Sequence, residues 1–288
     1  MSDKPLLVIP EWTSESSPHG GSYWNTFLNG CPHKRNLDKQ YKELIKEYDI
    51  QDSDGSMDAL KVGAAFHKIL EHYYSKTLDT VAFDEGDASV AEALRLFNGY
   101  RQRFPAEEFA EVVGAELSFG FDFDDPASSP VGVVPFTGRY DMVVRATPEN
   151  IETLTGAPRF LPISEPGVYI LDTKTMSMRR THIEMEMSNS IQFHSYMMAW
   201  DALAPSDKDV CKGFIANCVV KHKTLTDRSF FSVFVPPPTP EQAQAVRAHF
   251  QDAKWMLDNR GHDFKNRAKC FEWGRVCSHF QSGACDRG

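Results

Sequence analysis

No apolar run in this chain approaches the roughly 20 residues that a helix needs to cross a bilayer, which excludes a helical membrane protein as an expectation. The start, Met1-Ser2-Asp3-Lys4-Pro5, has no long apolar segment either, so no secretory signal is predicted and the expected location is cytoplasmic. Positive charge is in short supply: 31 Lys and Arg face 40 Asp and Glu, a formal net charge of -9. That balance argues against a protein that coats nucleic acid through diffuse basic charge. It leaves a nucleic-acid enzyme open, because acids gathered around a cation add negative charge where the cation cancels it. The phosphate-cradling pattern Gly-x-x-x-x-Gly-Lys-Ser/Thr is missing, so that motif supplies no ATP-driven motor. Internal repeats and low-complexity tracts are missing too.

What is there suits a folded enzyme. At 288 residues and 41% hydrophobic, the chain can bury a sizeable core. Six cysteines in a reducing compartment read as thiols or metal ligands rather than disulfides. Cys211 and Cys218 lie in apolar surroundings and read as small buried hydrophobes. Cys31 stands alone near the start, while Cys270, Cys277 and Cys285 crowd the end at spacings that match neither a zinc ribbon nor a redox motif.

Periodicity orders the elements. A short aromatic helix is predicted from Ser22 to Gly30, ending at Cys31-Pro32, and an amphipathic helix over 57–76 carries Gly63 and His67 four apart on one face. A glycine inside a helix costs about 1 kcal/mol against alanine, so Gly63 suggests a close approach. A further helix runs from Val90 to Phe104. The period then changes from 3.6 to 2, giving strands over 112–119 with Glu116 and over 133–145 with Asp141, a hairpin in outline. The run Tyr169-Ile170-Leu171-Asp172-Thr173-Lys174 reads as a third strand, and a helix over 184–203 sets Gln192 and Tyr196 on one face. Strands are predicted over 213–220 and 230–235, followed by Thr239, Pro240 and Gln242 as a capping box opening a last helix to about Asn259.

Asp172 and Lys174 share one face of their strand, about 6 to 7 Å apart. Alone, the pair reads equally as an ion pair at a strand end. Glu116 and Asp141 on the preceding strands change the weighting, because carboxylates on adjacent strands can converge on a hard cation. Such a cation polarises a phosphodiester and lowers the pKa of a bound water, and Lys174 can orient or deprotonate that water. Hydrolysis of a phosphate ester is the expected reaction. Taken singly, His67 reads as well as a partly buried core histidine, and Gln192 with Tyr196 as the polar edge of a buried helix. The patches Arg179-Arg180 and Lys221-His222-Lys223 could meet phosphates or simply be solvated.

In their order, Cys31-Pro32, Gly63-x-x-x-His67, Glu116, Gly138-Arg139-Tyr140-Asp141, Asp172-Thr173-Lys174, Gln192-x-x-x-Tyr196 and the terminal cysteines resemble the PD-(D/E)xK nuclease superfamily. The branch they resemble is the RecB-like one, which includes the nuclease domains of bacterial recombination helicases and the CRISPR-associated iron-sulfur exonucleases. The resemblance implies an α/β fold, a restriction-endonuclease-like core with a central mixed β-sheet flanked by helices. It implies one domain over 1–288: a helical part over 22–110, a catalytic sheet over 111–235, and a C-terminal helix with a cluster segment over 236–288. It implies that His67, Asp141, Asp172 and the carbonyl of Thr173 are metal ligands, that Lys174 is catalytic, and that Glu116 assists them. Gln192 and Tyr196 would hold DNA. The metal is Mg2+ or Mn2+, with the imidazole favouring manganese. The iron-sulfur members place one cysteine before the core and three after it on a 4Fe-4S cluster, which maps onto Cys31, Cys270, Cys277 and Cys285, with zinc as the alternative occupant. The implied function is a metal-dependent DNA exonuclease acting on single strands or duplex ends, alone or with a helicase or a recombination or CRISPR adaptation complex. The alternative is an inactive or structure-specific DNA-end-binding or trimming subunit.

Overall fold

The computed structural model describes residues 56–104 apart from 79, 80 and 85, then 111–123, 134–151 apart from 150, 162–177, 181–204, and 206–260 apart from 207 and 208. Cys31, Cys270, Cys277, Cys285 and the pair Arg179-Arg180 lie outside the described residues. The described parts of Gly55–Phe121 and Gly138–Ala243 form one compact unit, and those of Asp122–Thr137 and Gln244–Gly288 form a second.

In the first unit, α1 (Ser56–Tyr74) buries Val62, Phe66, Ile69, Leu70 and Tyr74, a spacing that puts all five on one stripe. Helix α2 (Ala88–Arg103) buries Ala93, Leu96, Phe97 and Tyr100 in the same manner. Asp87 starts it by accepting a 2.7 Å hydrogen bond from the Ser89 backbone N–H. The two helices interlock through aromatic edges, Phe66 against Tyr100 and Tyr73 against Phe97, with centroids 5.7 and 5.2 Å apart.

The strands β1 (Glu111–Phe123), β2 (Val134–Ala146), β3 (Gly167–Met176), β4 (Cys211–Val220) and β5 (Phe230–Val235) build a five-stranded sheet in the order β1-β2-β3-β4-β5. The pairing is mixed: β2 with β3 and β4 with β5 are antiparallel, whereas β3 with β4 is parallel. A parallel neighbour needs a crossover connection, and α3 (Ile183–Ser188) and α4 (Ile191–Leu203) occupy it. One face of the sheet, through Met142, Val144, Tyr169, Leu171, Ile215 and Val219, completes the core under α1 and α2. The other face takes α3 and α4, with Phe193 stacked on Phe214 at 4.1 Å and Met187 against Cys218. Helices on both faces of a mixed sheet give the restriction-endonuclease-like α/β core that the sequence implies. Because β3 is covered on both sides, it is a nearly continuous buried run and not an alternating one.

The single helix expected over 184–203 is two. Asn189 turns its side-chain amide onto the Met185 carbonyl at 2.9 Å, and Ser190 adopts an extended conformation and accepts from the Phe193 N–H. Both residues are cap formers that compete with the helix for its own backbone groups. Gln192 therefore stands in the first turn of a new helix. Cys211 and Cys218 are buried, as their surroundings suggest. Gly63 meets no close approach, since a Cβ there would touch only the Thr175 hydroxyl at an ordinary 3.5 Å.

Thr239 and Gln242 make the expected reciprocal cap at the start of α5 (Pro240–Arg260): the Thr239 N–H donates to Gln242 Oε1 at 2.9 Å and the Gln242 N–H to Thr239 Oγ1 at 3.2 Å. Phe123, Phe136 and Phe250 pack together as the aromatic centre of the second unit.

Candidate metal centre

The site begins where the β2–β3 ladder changes character. Pairing runs from Ala146 opposite Gly167 to Met142 opposite Leu171. One step further on, the Thr173 N–H donates to the carboxylate of Asp141 at 3.0 Å, so a side chain takes a ladder hydrogen bond. The alternation of β2 slips at the same place. Tyr140 packs against Tyr196 and Trp200 of α4, whereas Met142 joins the α1–α2 core, although strict alternation would put both on one face. Asp141 sits at this slip, oriented by Thr173 on one side and by the His67 imidazole, 3.2 Å from its Oδ2, on the other.

Asp172 and Lys174 project together from β3. The ammonium of Lys174 lies 3.0 Å from Asp172 Oδ1 and 2.8 Å from Oδ2. Only Oδ1 receives it at a hydrogen-bonding angle, so Oδ2, although buried, has charge nearby and a lone pair unengaged by any aligned donor among the described residues. Lys174 also stands 5.9 Å over the Phe193 ring. Glu116 comes from β1 with φ of 52°, a left-handed backbone that a glutamate rarely adopts and that costs about 1 to 3 kcal/mol. The turn aims its carboxylate at the Arg139 Nε, 2.6 Å away, and at the same cleft as His67 and Asp141.

His67, Glu116 and Asp141 each offer one ligand atom, and the three atoms lie within 4.8 Å of one another. Metal–ligand bonds of about 2.0 to 2.2 Å put adjacent ligand atoms of one cation about 3 Å apart and opposite ones at most about 4.4 Å, so the three side chains close in on the ion when it binds. Asp172, whose charge acts on both His67 and Asp141, offers a further oxygen in its unengaged Oδ2. Two or three oxygens with one imidazole suit manganese or magnesium. The residues present therefore fit a divalent cation.

The electrostatics agree. Burial pulls the His67 imidazole down, but the hydrogen bond and charge of Asp141, with the charge of Asp172, outweigh it and hold the group at about 9. Burial and the charge of Asp141 push Glu116 up to about 7 against the opposing pull of Arg139. Burial and Asp141 push Asp172 up to about 6, with Lys174 opposing. Burial would raise Asp141 as well, yet His67, Lys174 and the Thr173 N–H keep it below the ordinary carboxylate range. Lys174 is held above the ordinary amine range, because Asp172 and Asp141 outweigh its burial. A cluster in which two of the three acids are driven up while their cationic neighbours are held charged has a place for more positive charge.

The sequence-predicted residues His67, Glu116, Asp141, Asp172, Thr173 and Lys174 are thus brought together. Gln192 and Tyr196 come beside them: Gln192 Nε2 lies 3.5 Å from the Tyr196 hydroxyl, and the Tyr196 ring stands edge-on to Phe119 and Tyr140. Of the basic run at 221–223, His222 and Lys223 are exposed and the His222 Nδ1 pairs with the Ser229 hydroxyl at 3.1 Å. Two residues, one lining the cleft and one bonded to its Glu116, were given no role by the sequence. Glu71 lines it one turn beyond His67, a position that i, i+4 spacing could have singled out. Arg139 was quoted only as part of a motif, and nothing in its spacing reveals its bond to Glu116.

A family model described as the PD-(D/E)XK nuclease superfamily matches residues 39–280. No curated protein matches the chain. Among solved structures, one titled "Crystal structure of SSO0001" is 13% identical with a TM-score of 0.39, covering 86% of this chain and 80% of that one, a likeness too loose to bear on function.

Proposed function

The chain belongs to the PD-(D/E)XK nuclease superfamily, and from that membership we propose that it is a Mn2+- or Mg2+-dependent deoxyribonuclease of the RecB-like branch, an exonuclease working on single strands or duplex ends. The observation that carries the reading is the convergence of Asp141, Asp172 and Lys174 at the slip in β2, with His67 3.2 Å from Asp141.

His67, Glu116, Asp141, Asp172 and the Thr173 carbonyl would hold the cation. When bound, a divalent cation stabilises negative charge on phosphate oxygens and makes water a competent nucleophile near neutral pH. Lys174, held charged by its two acids, contributes positive charge and hydrogen bonds and does not take up a proton at neutral pH. Asp141 is oriented before substrate arrives by the Thr173 N–H, so little reorganisation remains for the reaction step. Gln192 at the start of α4 and the Tyr196 hydroxyl present polar groups to a strand lying across the cleft.

The test uses end-labelled single- and double-stranded DNA, linear and circular, with Mn2+ or Mg2+, comparing wild type with Asp172→Ala and Lys174→Ala. Wild type is expected to degrade linear DNA from its ends only with metal present, and both variants to be inactive. Lack of metal-dependent cleavage overturns the enzymatic reading; cleavage of circles overturns the exonuclease part alone.

The 4Fe-4S cluster on Cys31, Cys270, Cys277 and Cys285 belongs to the same proposal on sequence resemblance. It predicts a brown protein that Cys277→Ala turns colourless and poorly soluble; a variant that stays brown and stable removes Cys277 from the ligand set, and a colourless zinc-containing wild type replaces the cluster with zinc.

A further inference from the structure

Strand β2 is buried almost throughout, and Arg139 is the residue that breaks the pattern, standing between buried Gly138 and Tyr140 with 47% of its side chain exposed. Two residues later the same strand delivers Asp141. A long cation at this point is not required by the sheet, and its partner is unusual. Among the described residues Arg139 makes its ion pair with Glu116, which is mostly buried and is aimed by a left-handed turn inside a strand. That contact runs through Nε, while the four N–H groups on the terminal guanidinium nitrogens belong to the half-exposed end of the side chain.

Charge bookkeeping gives this pair its meaning. Glu116, Asp141 and Asp172 contribute three negative charges, and Lys174 contributes one positive. A divalent cation with neutral His67 brings that sum to zero, which leaves no net positive charge to hold a phosphodiester beyond what the cation and Lys174 themselves touch. Arg139 adds the remaining positive charge, bonded to the cleft-lining Glu116, half exposed and in a form suited to phosphate oxygens, since a guanidinium matches them with paired N–H donors. It can do so only when Glu116 lets go of it, and Glu116 is also one of the three groups positioned to take a cation. Resting on the nuclease reading above, we infer that Arg139 is a phosphate-binding residue held in reserve by Glu116: when a cation recruits the Glu116 carboxylate, the guanidinium passes to a DNA phosphate beside the cleft. Metal loading and DNA binding are then coupled through one side-chain exchange, and DNA binds the metal-free protein weakly.

The test compares wild type, Arg139→Gln and Arg139→Lys in three measurements: the Mn2+ affinity from the electron paramagnetic resonance signal of free Mn2+, the Kd for a fluorescein-labelled single-stranded oligonucleotide by anisotropy across a KCl series with Mn2+, and KM and kcat on end-labelled DNA. Arg139→Gln is expected to weaken oligonucleotide binding and raise KM by about 10- to 100-fold. It should lower the slope of log Kd against log salt by about 0.7, the loss of one phosphate contact on a single strand. Its Mn2+ affinity should not fall and should rise, since the cation no longer competes with a guanidinium for Glu116, and Arg139→Lys, which keeps the charge and the Glu116 pair, should recover part of the binding. A fall in Mn2+ affinity with an unchanged salt slope overturns the inference and makes Arg139 a positioning residue for Glu116. No effect in any measurement makes it a surface ion pair and overturns it as well. A wild type that binds DNA with an Arg139-dependent salt slope but does not cleave it leaves the phosphate assignment standing while the nuclease reading falls; a wild type that neither binds nor cleaves takes both down.

Discussion

Tyr100→Phe removes one oxygen from the centre of the first unit, and the surroundings of that oxygen allow its cost to be worked out. The Tyr100 hydroxyl is fully buried, lies 3.0 Å from the Tyr74 hydroxyl, accepts from Asn217 Nδ2 at 3.2 Å, and bonds the Thr173 side chain. Asn217 in turn accepts from the Ser232 hydroxyl at 2.7 Å. Three elements of the sheet and two helices therefore share one polar knot, and the residue it reaches on β3 is the one whose N–H orients Asp141. Each buried hydrogen bond contributes about 1 kcal/mol net, so losing three costs about 3 kcal/mol. With a urea dependence of about 2 kcal/mol per M, the unfolding midpoint falls by about 1.5 M. The aromatic packing on Phe66 and Phe104 is unchanged by the substitution, so no cavity contribution is added. Urea unfolding followed by circular dichroism measures the shift. A midpoint within about 0.25 M of wild type would refute the reasoning, because it would mean that the knot contributes nothing beyond what water supplies in the unfolded chain.

Three more expectations follow from the site and its supports. Gly138→Ala puts a methyl into the ring of Phe119, which is stacked on Tyr140 and edge-on to Tyr196; it should cost about 1 to 3 kcal/mol in urea and lower DNA cleavage, and a variant as stable as wild type would show that the ring has room to move. The metal-free protein should lose stability as pH rises from 6.5 to 9, because His67, raised from 6.5 to about 9, contributes stability that is complete below pH 6.5 and gone above its folded value. The ligands must be deprotonated to take a cation, so the gain in Tm from added Mn2+ should grow over the same range, and thermal melts with and without Mn2+ at pH 6 to 9 that show a constant gain would contradict it. Asp172→Asn relieves a buried carboxylate pushed up to about 6, so without metal its Tm should equal or exceed that of wild type, whereas with Mn2+ it should fall below; a large loss without metal would show that the Lys174 ion pair stabilises the fold.

Most of the sheet was legible because its signals are local. The apolar run at 169–171, the Thr239–Gln242 cap and the helical stripes of α1 and α2 are each set by neighbours a few residues away, where periodicity and capping operate. The break between α3 and α4 is also local, in the adjacent cap formers Asn189 and Ser190, and was hidden only because the apolar period continues across it. The candidate ligands were legible as residue types in order. Their grouping followed from the order of the strands and from the family resemblance; the slip of alternation at Asp141 that sets its orientation did not, because no residue type announces it.

Glu116 shows best what lies beyond a sequence reading. Alternation on β1 says only which face an extended strand would give it, and with φ of 52° it is not extended. A left-handed glutamate persists only where the surroundings over-determine it, and Arg139 at 2.6 Å is a partner able to do so. The same bond raises the barrier to using Glu116 as a ligand, since a cation must compete for it with a guanidinium. Burial and the charge of Asp141 disfavour the ionised Glu116 and Asp172 carboxylates in the metal-free state, and one divalent charge relieves both. The cleft is therefore built at the expense of the apo fold, and the cation it fits should stabilise the protein more than a count of ligands alone suggests.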